Sequence, residues 1–141
     1  MQRKSSSSAE VKFFSLDRER ILEELRKYAK KCIEQGARMV VLIGSLARGN
    51  YTTFSDVDVV VVYDNAPPRY MDRIELFLDP SLPIDVEPRV YTSEELLTMA
   101  KECRLLAKEI AYHGKLLAGD SDLLDNVRDL VKRCSWRSSP P

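Results

Sequence analysis

Apolar residues recur along this chain at two periods, and each switch of period marks a new element. Between Asp17 and Gln35 the apolar positions are Ile21, Leu22, Leu25, Tyr28, Ala29, Cys32 and Ile33. That spacing predicts an amphipathic helix, with Gly36 as its C-terminal stop. Met39 to Ile43 is a short apolar run rich in β-branched residues, expected as a strand buried on both faces. Gly44-Ser45 closes it, and Leu46 to Gly49 is enough for one helical turn. Val57 to Tyr63 predicts a second strand, stopped by Asp64-Asn65-Ala66-Pro67-Pro68. Met71, Ile74, Phe77 and Leu78 then return to helical spacing between Arg69 and Leu78. Ile84 to Val90 is the third expected strand. Its Pro88 points to an edge position or a bulge, because proline has no N–H to give a ladder.

Thr92-Ser93-Glu94-Glu95 has the form of a capping box, in which Thr92 and Glu95 satisfy each other's free amides. It opens a helix over Leu96 to about Glu102. Arg104 to Tyr112 is also expected to be helical, and Lys115 to Ala118 a short last strand. Asp122 to Cys134 is a final amphipathic helix, with Leu123, Leu124, Val127, Leu130, Val131 and Cys134 on one face. This order predicts an α/β (α+β) domain with a small central sheet. Residues 1–12, polar and serine-rich, are expected to be a flexible N-terminus. Residues 13–134 form the single domain, and 135–141 a flexible tail.

Composition changes this picture mainly by exclusion. A chain of 141 residues fits one core. Lys plus Arg and Asp plus Glu are each 22, so the formal net charge is zero. Binding to nucleic acid through bulk charge is therefore not expected, since that mode draws on a basic surplus. No apolar run approaches the roughly 20 residues of a membrane-spanning helix. Met1 to Glu10 has no apolar segment behind its basic residues, so it does not resemble a secretory signal, and a cytoplasmic location is expected. Cys32, Cys103 and Cys134 are odd in number and widely spaced, matching neither a disulfide framework nor a zinc site. Cys32 and Cys134 lie on apolar helix faces and are expected as small buried hydrophobes. His113, near a helix end, is expected to cap or face solvent rather than catalyse.

The chemistry concentrates between Gly44 and Asp58. A strand that ends in Gly-Ser and turns into a helix presents free amides and a positive dipole end, which suits phosphate oxygens. Gly44 admits close backbone approach, and Ser45 adds a hydroxyl. Asp56 and Asp58 stand two residues apart at the start of an apolar strand, so alternation puts both carboxylates on one face. Like charges held that close call for a cation between them, and Mg²⁺ is the natural partner for carboxylates and substrate phosphates. A third carboxylate on the adjacent strand would complete a two-metal site. Asp85 and Glu87 share the parity that allows this, and Asp85 is favoured as nearer the strand start.

Gly44-Ser45, ten residues, then Asp56-Val57-Asp58 resembles the signature of the DNA polymerase beta-like nucleotidyltransferase superfamily. The wording Gly-Ser-Leu-Ala-Arg-Gly, Ser-Asp-Val-Asp and Pro-Ile-Asp-Val is most similar to its minimal bacterial and archaeal members. The resemblance covers about residues 17–118. It implies a mixed sheet flanked by helices, with Asp56, Asp58 and Asp85 as metal ligands and catalytic residues. It also implies Gly44 and Ser45 on the triphosphate of ATP, with Arg48 and Ser55 matching in less defined roles. Asp85 would be the base for the attacking hydroxyl. The family-level expectation for a partner is a small helical HEPN-type toxin, modified with AMP on a tyrosine by this chain as antitoxin. Only one helix follows the core, so the acceptor site is expected to be completed by another chain; homo-oligomerisation stays open as well. The competing readings are transfer to a small molecule such as an aminoglycoside, and a non-catalytic antitoxin that neutralises by contact.

Overall fold

The computed structural model describes residues 7–49 and 57–137, with side chains over 18–49 and 57–134. Strand β1 (Met39–Ile43) is buried at all five positions, as a strand covered on both faces should be. It pairs antiparallel with β2 (Val57–Val62) on one side and with β4 (Lys115–Gly119) on the other. Strand β3 (Val86–Tyr91) runs parallel to β2, giving the order β3-β2-β1-β4. The sheet is therefore mixed. Pro88 lies opposite Val59 on the edge strand β3, where a missing donor costs no second ladder.

Among the described residues six helices accompany the sheet: α1 (Ser7–Glu34), α2 (Gly44–Arg48), α3 (Tyr70–Phe77), α4 (Ser93–Lys101), α5 (Leu105–His113) and α6 (Ser121–Arg137). Strand alternation sorts the core into two layers. Val40, Leu42, Val57, Val59 and Val61 pack with Leu25, Tyr28 and Ala29 of α1. Met39, Val41, Val60 and Val62 pack instead with Leu96 of α4, Ile110 of α5 and Val127 and Val131 of α6. Each Val, Leu, Ile or Met among them contributes about 1.5–3 kcal/mol on burial. Asp58 has the parity of Val60 and Val62, so it lies on the α4–α6 side. Among the described residues no helix is long and apolar enough to cross a membrane.

The capping box forms as expected: Glu95 N–H donates to Thr92 Oγ1 at 3.1 Å, and Thr92 N–H to Glu95 Oε1 at 2.9 Å. Three boundaries differ from the sequence reading. Helix α1 starts at Ser7, because Ala9-Glu10-Val11-Lys12 holds good helix formers and no Pro or Gly interrupts the run to Glu34. Helix α6 runs on to Arg137, past Cys134, for the same lack of a breaker. Strand β3 starts at Val86, since its ladder opens where Val57 N–H meets the Asp85 carbonyl at 2.9 Å.

The cysteine expectation needs correction for one pair. Cys103, in the turn after α4, is disulfide-bonded to Cys134 of α6, their Cα atoms 5.5 Å apart. The two are 31 residues apart in sequence, and only the packing of α4 against α6 brings them together. Cys32 remains free and buried, and burial pushes its thiol up to about 11.

Candidate active site

Asp58 lies opposite Ile43, the last residue of β1, at the end of the sheet where the chain turns into α2. Gly44 makes that turn at φ +83°, in the left-handed region that favours glycine. A Cβ placed there would also stand 3.1 Å from Asp58 Oδ2. The first half of the motif thus keeps a hydrogen where its second half passes. On its other side Asp58 is in register with Glu87 across the β2–β3 ladder, so the two carboxyls are neighbours. Burial pushes the Asp58 carboxyl above the usual carboxylate range. Arg89, two residues along β3, pulls it back, and the charges of Glu87 and Glu109 push it further up.

Helix α2 carries Gly44 and Ser45 at its start and Arg48 at its end, and Gly49 closes it in the left-handed conformation. Glu109 reaches this helix from α5. Its Oε2 accepts the Gly44 N–H at 2.9 Å and the Arg48 guanidinium at 2.6 Å. Arg48 is therefore tied across the site, although its side chain is 38% exposed. Glu109 and Arg89 escaped the sequence reading. Both arrive by tertiary packing from segments whose local pattern reads as plain helix and plain strand, and no spacing rule links them to Gly44 or Asp58.

Of the residues singled out by sequence, Gly44, Ser45, Arg48 and Asp58 gather at one end of the sheet, with Glu87 beside Asp58. Asp85 is exposed at the entry to β3, one residue before the first paired position, Val86. Ser55 and Asp56 lie outside the described residues. Among the described residues no three His, Cys, Asp or Glu side chains converge as a metal cage. The donor set at Asp58 still fits Mg²⁺: the oxygens are carboxylate oxygens, and the charges of Glu87 and Glu109 beside a partly buried Asp58 favour a cation there.

The sequence profile of the family described as "Nucleotidyltransferase domain" matches residues 18–124, which include every element from β1 to β4. The chain belongs to this family. A curated relative, "Putative protein adenylyltransferase MJ1305" of Methanocaldococcus jannaschii, is 35% identical over 80 residues. That match spans 49% of this chain and 54% of the relative, about half the length of each. Two solved structures share the fold. A toxin–antitoxin crystallised with AMP-PNP superposes with a TM-score of 0.58 at 15% identity, covering 79% of this chain and 87% of that one. A mutant of the MntA–HpeT toxin–antitoxin gives 0.55 at 13% identity, over 82% and 87%. The mixed sheet with flanking helices is thus the nucleotidyltransferase fold expected from the motif.

Proposed function

We propose that this chain is a Mg²⁺-dependent protein adenylyltransferase that moves AMP from ATP onto a hydroxyl, a tyrosine, of a small helical HEPN-type toxin. The observation that carries the reading is the abutment of Gly44 on Asp58, a phosphate-admitting turn against a metal-seeking carboxylate. A protein acceptor is supported by the likeness to a putative protein adenylyltransferase and by the toxin–antitoxin assemblies that share the fold. In this reading the Gly44 amide, the Ser45 hydroxyl, Arg48 and Ser55 receive the triphosphate. Asp56, Asp58 and Asp85 hold the metal, which when bound neutralises charge developing on the transferred phosphate. Asp85 stands two residues ahead of Glu87, which faces Asp58 across the ladder. Alternation gives Asp85 the parity of Glu87, and that supports it as the third carboxylate. Asp85 takes the proton of the attacking hydroxyl, whose oxygen bonds to the α-phosphorus as pyrophosphate leaves.

Intact-mass spectrometry tests this directly. Incubated with ATP and Mg²⁺, the partner should gain about 329 Da per AMP, the nucleotide less pyrophosphate. A partner neutralised with no change of mass would establish the contact-only reading, and adenylylation of a small alcohol in its place would move the acceptor to the aminoglycoside class.

A further inference from the structure

The Glu109 carboxylate occupies a position that nothing in the motif foretells. One of its oxygens accepts both the Gly44 N–H, at 2.9 Å, and the Arg48 guanidinium, at 2.6 Å. A single anionic oxygen bridging a backbone amide and an arginine is what a phosphate oxygen does in a cradle of this kind. Glu109 comes from α5, not from the strand–turn–helix itself, and α5 is held in place by Ile110 and Ala107 in the core. Its side chain keeps 29% exposure, so it can swing outward without unpacking the helix. While it stays in, it also raises the negative charge around Asp58, to which Glu87 already contributes.

We propose that Glu109 is an internal stand-in for a nucleotide phosphate, one that keeps the Gly44–Arg48 donors occupied and must be displaced when a triphosphate binds. This rests on the reading of Gly44 and Arg48 as phosphate-facing groups. Glu109 then sets the affinity of the site: every nucleotide that enters breaks two charge-assisted hydrogen bonds before making its own. Glu109→Gln keeps the shape and removes the charge, so it weakens the competitor without opening a hole.

Isothermal titration of a non-hydrolysable ATP analogue with Mg²⁺ into the wild type, Glu109→Gln and Glu109→Ala tests it. Both variants should bind about tenfold more tightly than the wild type, equal to about 1.4 kcal/mol. Unchanged or weaker binding by folded variants, next to a wild type that binds, overturns the stand-in and leaves the nucleotide site intact. If both variants fail to fold, Glu109 is a structural brace and the proposal is overturned as well. Absence of binding by all three proteins sinks the nucleotide reading itself. Circular dichroism of the unliganded proteins separates the last two results.

Discussion

Asp58 is surrounded by groups that make sense only together. Gly44 leaves it room, Arg89 tempers it, and Glu87 and Glu109 repel it. The carboxylates nearest to it by register and by sequence logic are different residues, Glu87 and Asp85. Their roles separate by experiment. Asp85→Asn should cost transfer at least about a hundredfold, the scale of a lost general base. Glu87→Gln should cost less than about tenfold, since it adjusts Asp58 rather than touching the acceptor. Single-turnover rates at saturating ATP would decide, and the reverse ranking would exchange the two roles. The meeting of Gly44 and Asp58 was legible in the sequence, because a glycine after one strand and an acid at the start of the next are local signals joined by a single antiparallel pairing. The Asp58–Glu87 contact was only half legible: alternation gave the face, and the register gave the partner. Glu109 was illegible, because its contacts depend on how α5 packs on β1.

Elements behave in the same way, with ends that chemistry writes locally and joints that packing decides. The capping box at α4 could be read letter by letter, and the structure extends it. Arg73 of α3 donates to both oxygens of Glu95, at 2.7 and 3.2 Å, so one carboxylate ties the start of α4 to α3. Thr92→Ala should destabilise the fold by about 1 kcal/mol, the usual value of an N-cap, as measured by the urea midpoint. The Arg73 hydrogen bonds, first among several causes, hold the Glu95 carboxyl below its ordinary value of about 4.3. A carboxyl lowered in the folded state stabilises it above the unfolded pKa, and that contribution fades as pH falls through the folded one. The stability gap between wild type and Glu95→Gln should therefore be full at pH 7 and close progressively below about pH 4.3. A gap that widened in acid would refute the assignment. The Cys103–Cys134 bridge is the opposite case, a joint no local pattern announces. Denatured without reductant, the chain should titrate as a single thiol, Cys32. Reductant should lower unfolding stability by about 2–4 kcal/mol, the usual range for a disulfide.

At the scale of the whole molecule, the four-stranded sheet acts as a platform with its chemistry at one end. The last residue of β1 and the first residues of β2 and β3 meet there, so strands running in both directions deliver their polar residues to one place. Helix α5 reaches that end through Glu109, and Asp58 lies on the sheet itself, between the buried Val57 and Val59. Such a platform separates chemistry from association. Asp58 is half-buried in the sheet beside Gly44, where it can serve metal and phosphate but offers little to a macromolecular surface. Under the proposed function, Asp58→Asn should therefore abolish AMP addition to the proposed toxin partner while the two proteins still co-elute on size-exclusion chromatography. In the same reading ATP with Mg²⁺ should raise the melting temperature of the wild type, and Asp58→Asn should remove that rise, since a ligand stabilises only the state that binds it. Loss of co-elution together with loss of addition would place Asp58 within the docking surface. Addition that survived the substitution would move the chemistry away from this end of the sheet.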